Sequence, residues 1–275
     1  MELAEVFRGV TTRLRQLVDV SAHEWGLSSR WARWHFWFPL ALSVVTLVSR
    51  LYRPVYHFIV REDGIVEWAT FLCAALAAWG AAFVAHRRWS AGRQGQMILF
   101  ALVAMTMALI AGEEISWGQR ILGIETPEAL RNVNRKSEIN LHNIGDFLSW
   151  TRIATLLAGF YATFAWPVNR SLRIERRILD ADVLFVPPFF LSSSFLVVFL
   201  FSLSQLTLLP LIDSTSTRFA EISELCLAYG CCIYLWMMPS KLRVATSESA
   251  RDRRQVYAVD DRRPVPCDAG QLPPN

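Results

Sequence analysis

The chain has 275 residues, of which 53% are hydrophobic and eleven are tryptophan, and its mean hydropathy is +0.28. That is too apolar for a water-soluble domain of this size. The formal net charge of +4 lies in short basic segments flanking apolar runs, where it acts as an orientation signal and argues against nucleic-acid binding.

Residues 1–20 place Leu3, Phe7, Val10, Leu14 and Leu17 at helical spacing, with Arg8, Arg13 and Arg15 among the remaining positions. This pattern predicts an amphipathic helix lying on the membrane, within a cytoplasmic-side segment 1–33. The first long apolar run starts only at Trp34 and no small-residue cleavage site ends it, so it reads as an anchor and not a signal peptide. A membrane span needs roughly 20 apolar residues, and six runs qualify: 34–52, 65–86, 96–113, 145–167, 183–209 and 219–239. The fold class is therefore all-α, a polytopic transmembrane bundle over 34–240. Pro187-Pro188 near the start of the fifth run predicts an interfacial turn or kink there. The stretch 241–275, rich in charge, proline and polar residues, is expected to be a disordered tail. Lys and Arg concentrate in 1–33, 87–95, 168–182 and 241–275, with fewer in the alternate loops, which predicts both termini inside. Of the five cysteines, four fall in apolar runs and none has zinc-like spacing; Cys231-Cys232 reads as packing. Trp31, Trp34, Trp37, Trp68, Trp150 and Trp166 are assigned mostly to an interfacial belt, and Trp117 to a site wall.

Chain order alone brings the acids to one membrane level. Glu62, Asp63 and Glu67 begin the second span, Glu113-Glu114 end the third, Asp146 begins the fourth, and Glu221 and Glu224 begin the sixth. Ionisable groups at the hydrocarbon edge mark a functional site by default, with a partner nearby. If the third helix continued through Arg120, Glu113, Ser116, Trp117 and Arg120 would share a stripe while Glu114 pointed about 100° away. The two glutamates would then have different partners. His142 and Asp146 are four apart, so the carboxylate can fix one ring nitrogen and leave the other for a proton or metal. Thr126-Pro127-Glu128 predicts a short helix within the loop, with Thr as cap. Against these readings stand blander ones: a helix end emerging into water for Glu113-Glu114, a backbone-bonded histidine for His142, capping for Asn140 and Asn143, and ion pairs to Arg120 or Arg152 for Glu67. Glu221 and Glu224 have the same alternative.

The segments Glu62-Asp63-Gly64-Ile65-Val66-Glu67-Trp68, Gly112 through Arg120, Glu125-Thr126-Pro127-Glu128 and Asn140-Leu141-His142-Asn143 resemble those of a family of uncharacterised bacterial polytopic membrane proteins. The resemblance spans roughly residues 50 to 240. It implies a bacterial inner-membrane protein and no particular activity. Glu113-Glu114 with Arg120, and His142 with Asp146, also bear a weak similarity to the CAAX-type intramembrane proteases; the arginine spacing is two residues longer, and only one histidine is well placed.

The favoured expectation is a membrane hydrolase or transferase acting on a lipid or lipid-linked substrate. Glu113, Glu114, Glu67, His142 and Asp146 are its candidate catalytic residues. Arg120, Gln119, Trp117, Asn143 and Glu224 are its candidate substrate contacts. An optional divalent metal would sit on Glu113, Glu114 and His142. The alternatives are a proton- or cation-coupled transporter and a non-catalytic envelope scaffold in which the acids only pair with arginines.

Overall fold

The computed structural model describes residues 2–61, 64–132, 134, 139–140, 145–172, 186–207 and 219–260, apart from the side chains of 2, 3, 120, 145–149 and 243–260. No strand occurs among the described residues. Residues Met1–Met238 form one compact unit and Pro239–Asn275 a second.

Helix α1, Glu2–Glu24, ends in a Schellman motif. Gly26 takes a left-handed φ of 66°, and the amides of Leu27 and Gly26 return to the carbonyls of Ala22 and His23. Ser28 then caps α2, Ser29–Ser49, by accepting the Trp31 amide. The chain continues through α3, Arg53–Ile59. Next come α4, Ile65–Ser90, and α5, Gln94–Glu114. The three-residue link at Ala91–Arg93, with Gly92 at φ 70°, folds α4 and α5 back on each other as an extensively packed antiparallel pair. Short helices α6, Gln119–Leu122, and α7, Glu128–Arg131, lie in the next loop, and α8 follows over Gly145–Leu172. Beyond Pro188, a 3-10 turn at Phe189–Leu191 leads into α9, Ser192–Thr207. The prolines thus precede the helix, where a missing amide donor costs little. Helix α10 runs Ala220–Asp260.

Only part of the amphipathic expectation for the N-terminus describes α1. Its second half docks on the bundle: Val18 and Ala22 are buried with Phe36 of α2, Trp166 of α8 and Phe189-Phe190. Asp19 pairs with Arg33 at 2.6 Å, and Glu24 with Arg170 at 2.8 Å. Val6, Phe7 and Val10 in the first half are exposed. Trp166, expected in the interfacial belt, is instead buried and donates to the Glu24 carboxylate, because an indole N–H taken out of water needs an acceptor. Trp31 is also packed against this core.

The start of α10 is the centre of a second core. Ile222, Leu225 and Cys226 pack with Tyr56 and Val60 around α3, Val66 of α4 and Val197-Val198 of α9. Close helix approaches depend on small residues. A Cβ on Gly159 of α8 would come within 2.8 Å of the Phe199 amide nitrogen, and one on Gly230 of α10 within 2.8 Å of the Phe195 ring. In contrast to the disordered tail expected from Lys241, residues 241–260 are helical. That stretch contains neither Gly nor Pro before Pro264 and carries four Arg and three Ala, so nothing in it stops a helix.

Among the described residues, four helical segments are long and apolar enough to cross a membrane: Ile65–Ser90, Gln94–Glu114, Phe189–Thr207 and Ala220–Leu242. Their outward faces carry exposed Leu72, Leu76, Trp79, Leu102, Met105 and Leu200. A continuous apolar exterior of this kind suits lipid as solvent.

Candidate carboxylate site

The site is assembled by three alanines. Ala74 of α4, Ala111 of α5 and Ala228 of α10 are 0%, 5% and 3% exposed and share one cluster, so three helix backbones approach closely. Glu114 follows Ala111 by three residues, and Glu221 and Glu224 precede Ala228 by seven and four. These spacings keep each acid on the same helix face as its alanine. The glutamates therefore meet where the helices converge, and carboxylate oxygens of Glu114, Glu221 and Glu224 all lie within 4.8 Å of one another. None of the three is fully buried. Two unit charges at that separation repel by about 3.5 kcal/mol at an effective dielectric constant of about 20, and by about 1 kcal/mol in bulk water. Such a group is suited to a hard divalent cation, which prefers oxygen ligands.

Glu113 is directed elsewhere. Helix α5 ends at Glu114, and the chain then takes three successive left-handed residues: Ser116 at φ 46°, Trp117 at φ 56° and Gly118 at φ 75°. The expected continuation of this helix through Arg120 is thereby corrected. Gly118 can take this conformation freely, whereas Ser116 and Trp117 each cost about 1–2 kcal/mol there. The turn folds the Trp117 ring over Gly112, where a Cβ would lie 2.9 Å from a ring carbon. The indole Nε1 donates to Glu113 Oε1 at 2.8 Å. Of the two adjacent acids, Glu114 belongs to the three-carboxylate group and Glu113 does not.

A buried polar network holds the strained turn. Asn140 Nδ2 donates to Ser116 Oγ at 3.4 Å, and Asn134 Nδ2 donates to the Asn140 carbonyl and Oδ1 at 2.6 and 2.8 Å. Gln119 is used at both ends of its amide: Nε2 donates to Thr126 Oγ1 at 2.6 Å, and Oε1 accepts the Ile139 amide at 2.7 Å. Gln119, the candidate substrate contact, clamps the loop through these two bonds. Thr126 is buried within this clamp, and Pro127 takes the N-cap position of α7. The predicted short helix is present, starting one residue later than its Thr cap implied.

The remaining candidates divide by location. Glu67 is half-buried in the first turn of α4, outside the three-carboxylate group. There it benefits from the helix dipole. Trp117 stays half-exposed beside the acids. His142, Asn143, Glu62 and Asp63 lie outside the described residues, as do the side chains of Arg120 and Asp146. Glu221, placed with Glu224 at the start of the sixth span but not among the candidate site residues, joins the group; the i, i+3 spacing of the two at a helix start was the available signal. The Ser116, Asn134 and Asn140 network had no signal beyond turn-forming composition.

No family model matches the chain, and neither a curated protein nor a solved structure matches it.

Proposed function

We propose that this chain is a multi-pass membrane enzyme that hydrolyses, or transfers a group from, a lipid or lipid-linked substrate at the outer face of a bacterial inner membrane. The observation that carries the reading is the convergence of Glu114, Glu221 and Glu224 within 4.8 Å, beside a turn that keeps two non-glycine residues left-handed. Strain of this kind persists where surrounding structure over-determines it, and it clusters at functional sites. In this reading six helices span the membrane, α2 and α8 included, with both termini inside and the exposed first half of α1 on the cytoplasmic leaflet.

Glu114, Glu221 and Glu224 hold a divalent cation, replacing the ligand set of Glu113, Glu114 and His142 expected from sequence. A bound Mg²⁺ or Mn²⁺ supplies Lewis-acid polarisation of a phosphoryl or carbonyl oxygen. An anionic headgroup would otherwise be repelled by three carboxylates. Glu113, oriented by the Trp117 indole, is the general base for water or a substrate hydroxyl. His142, oriented by Asp146, returns the proton to the leaving group, and Arg120 and Asn143 contact the anionic end of the substrate. The test is Mn²⁺ binding to detergent-purified protein, with hydrolysis assayed on phospholipid and lipid-pyrophosphate substrates. Loss of binding in Glu114→Gln and Glu221→Gln, with binding kept but turnover lost in Glu113→Gln, supports the assignment. Undiminished Mn²⁺ binding in the first two variants refutes it.

A second reading, cation transport, draws on buried hydroxyls inside the bundle. Among the described residues, the Oγ atoms of Thr46, Ser193 and Ser194 have no hydrogen-bond partner, and polar groups in a bundle interior can line a path for ions. Cation flux into proteoliposomes that disappears in Glu67→Gln would favour transport over catalysis.

A further inference from the structure

The segment that leaves α5 has the reverse polarity of a loop in water. The side chains of Ser116, Thr126, Asn134 and Asn140 are buried and hydrogen-bonded to one another or to Gln119. Trp117, Ile121, Leu122 and Ile124 are exposed instead, Ile121 and Leu122 by 65% and 70%. An exposed apolar patch of this kind marks a contact with lipid or protein. The backbone produces it. Left-handed residues at 116–118 reverse the chain after α5, and the Trp117 ring lies over Gly112, about 3 Å short of Glu114 along the helix axis. Helix α6 then ends at left-handed Gly123, and the Ile124 amide returns to the Gln119 carbonyl. The turn thus folds back on the last turn of α5 instead of climbing away from it.

A second element repeats the pattern at the same end of the bundle. Tyr56 and Val60 of the α3 segment pack against Ile222 and Leu225 of α10, the immediate neighbours of Glu221 and Glu224 in sequence, which sets α3 at the level of the acids. Its other side chains Tyr52, Val55 and Phe58 are exposed, interleaved with exposed Arg53 and Arg61. Both apolar surfaces adjoin ends of the membrane-length helices α4 and α5, on which Ile65, Trp68 and Leu109 are also exposed.

We propose that residues 117–124 and α3 insert into the headgroup region of one membrane leaflet, so that the group of Glu114, Glu221 and Glu224 opens to lipid headgroups and not to bulk water. A leaflet meets both elements at once, because it encircles the bundle at one depth. Tryptophan rings and arginines favour that depth, where Arg53 and Arg61 meet lipid phosphates. The non-helical backbone of the turn keeps it from going deeper, since carbonyls in hydrocarbon need a partner. The insertion rests on α4 and α5 spanning the membrane, and not on the chemistry proposed for the acids.

The experiment places p-benzoylphenylalanine at position 122, at position 58, or at position 76 on the exposed face of α4, in the full chain in nanodiscs of phosphatidylcholine and phosphatidylglycerol. After irradiation the intact mass is read. A gain of one phospholipid is expected at all three positions. Absence of that adduct at 122 or 58 with the adduct present at 76 overturns the insertion, as does a crosslink from 122 or 58 to a second copy. Absence at 76 overturns the spanning of α4, and the insertion with it. A second measurement needs no unnatural residue: the Trp117 emission, taken as the difference between wild type and Trp117→Phe, should be quenched more by phospholipid brominated near its headgroup than by aqueous iodide. The opposite order overturns the proposal. Neither readout depends on turnover, so a failed catalytic assignment leaves both unchanged.

Discussion

Replacing Glu224 by Gln removes one of three charges that meet within 4.8 Å, and so relieves two of the three pairwise repulsions. Each pair costs about 1 to 3.5 kcal/mol between aqueous and protein-surface dielectric limits, giving about 2 to 7 kcal/mol for the two. Because the group is only partly buried and salt screens it, the lower end applies, about 2 kcal/mol at low ionic strength. In EDTA the variant should therefore unfold at a higher temperature than wild type, and the difference should shrink as salt is added. With Mn²⁺ the order should reverse. A cation at 100 times its Kd stabilises the protein that binds it by about 2.7 kcal/mol, and the variant loses a ligand. Thermal unfolding followed by tryptophan fluorescence in detergent, with EDTA and with Mn²⁺, reads both effects. A Glu224→Gln protein that is less stable than wild type in EDTA and responds equally to Mn²⁺ would rule out both the repulsion and the cation.

Other consequences follow from individual contacts. Gly112→Ala puts a Cβ 2.9 Å from the Trp117 ring, so the ring must leave its bond to Glu113; a loss of about 1–2 kcal/mol and a shifted Trp117 emission, isolated by comparison with Trp117→Phe, are expected. Gly159→Ala meets backbone, the Phe199 nitrogen at 2.8 Å, and should cost about 1–3 kcal/mol in unfolding while leaving Mn²⁺ binding intact. The Arg33 guanidinium hydrogen-bonded to Asp19 holds that carboxyl below its ordinary range. Its contribution is present above the unfolded carboxylate value and lost as pH falls through the lower folded one. Asp19→Asn should thus lower stability at neutral pH by less than about 1 kcal/mol, since the pair is largely exposed, and the difference from wild type should vanish in acid.

The site was legible to different depths. Acids at the ends of the second, third and sixth apolar runs could be placed near one level by counting turns. Glu114 and Glu224 were among the candidates for that reason. Glu113 shared a priori standing with Glu114, because nothing in linear spacing announces that the chain turns left-handed at Ser116. The clamp made by Gln119 was not legible, because its partners Thr126 and Ile139 come from later in the loop.

Hydropathy and residue spacing by themselves determined that this chain is helical, that several of its helices suit a membrane, and that acidic residues gather at helix ends. These follow from local sequence: an apolar run long enough to cross lipid must satisfy its backbone hydrogen bonds internally, and helical periodicity fixes which neighbours share a face. The tertiary structure decided which acids meet. That outcome depends on how closely α4, α5 and α10 approach, and the approach is set by Ala74, Ala111 and Ala228, residues whose hydropathy is unremarkable and whose effect comes from the absence of bulk on three facing surfaces. The turn that follows α5 leaves Glu113 to the Trp117 indole.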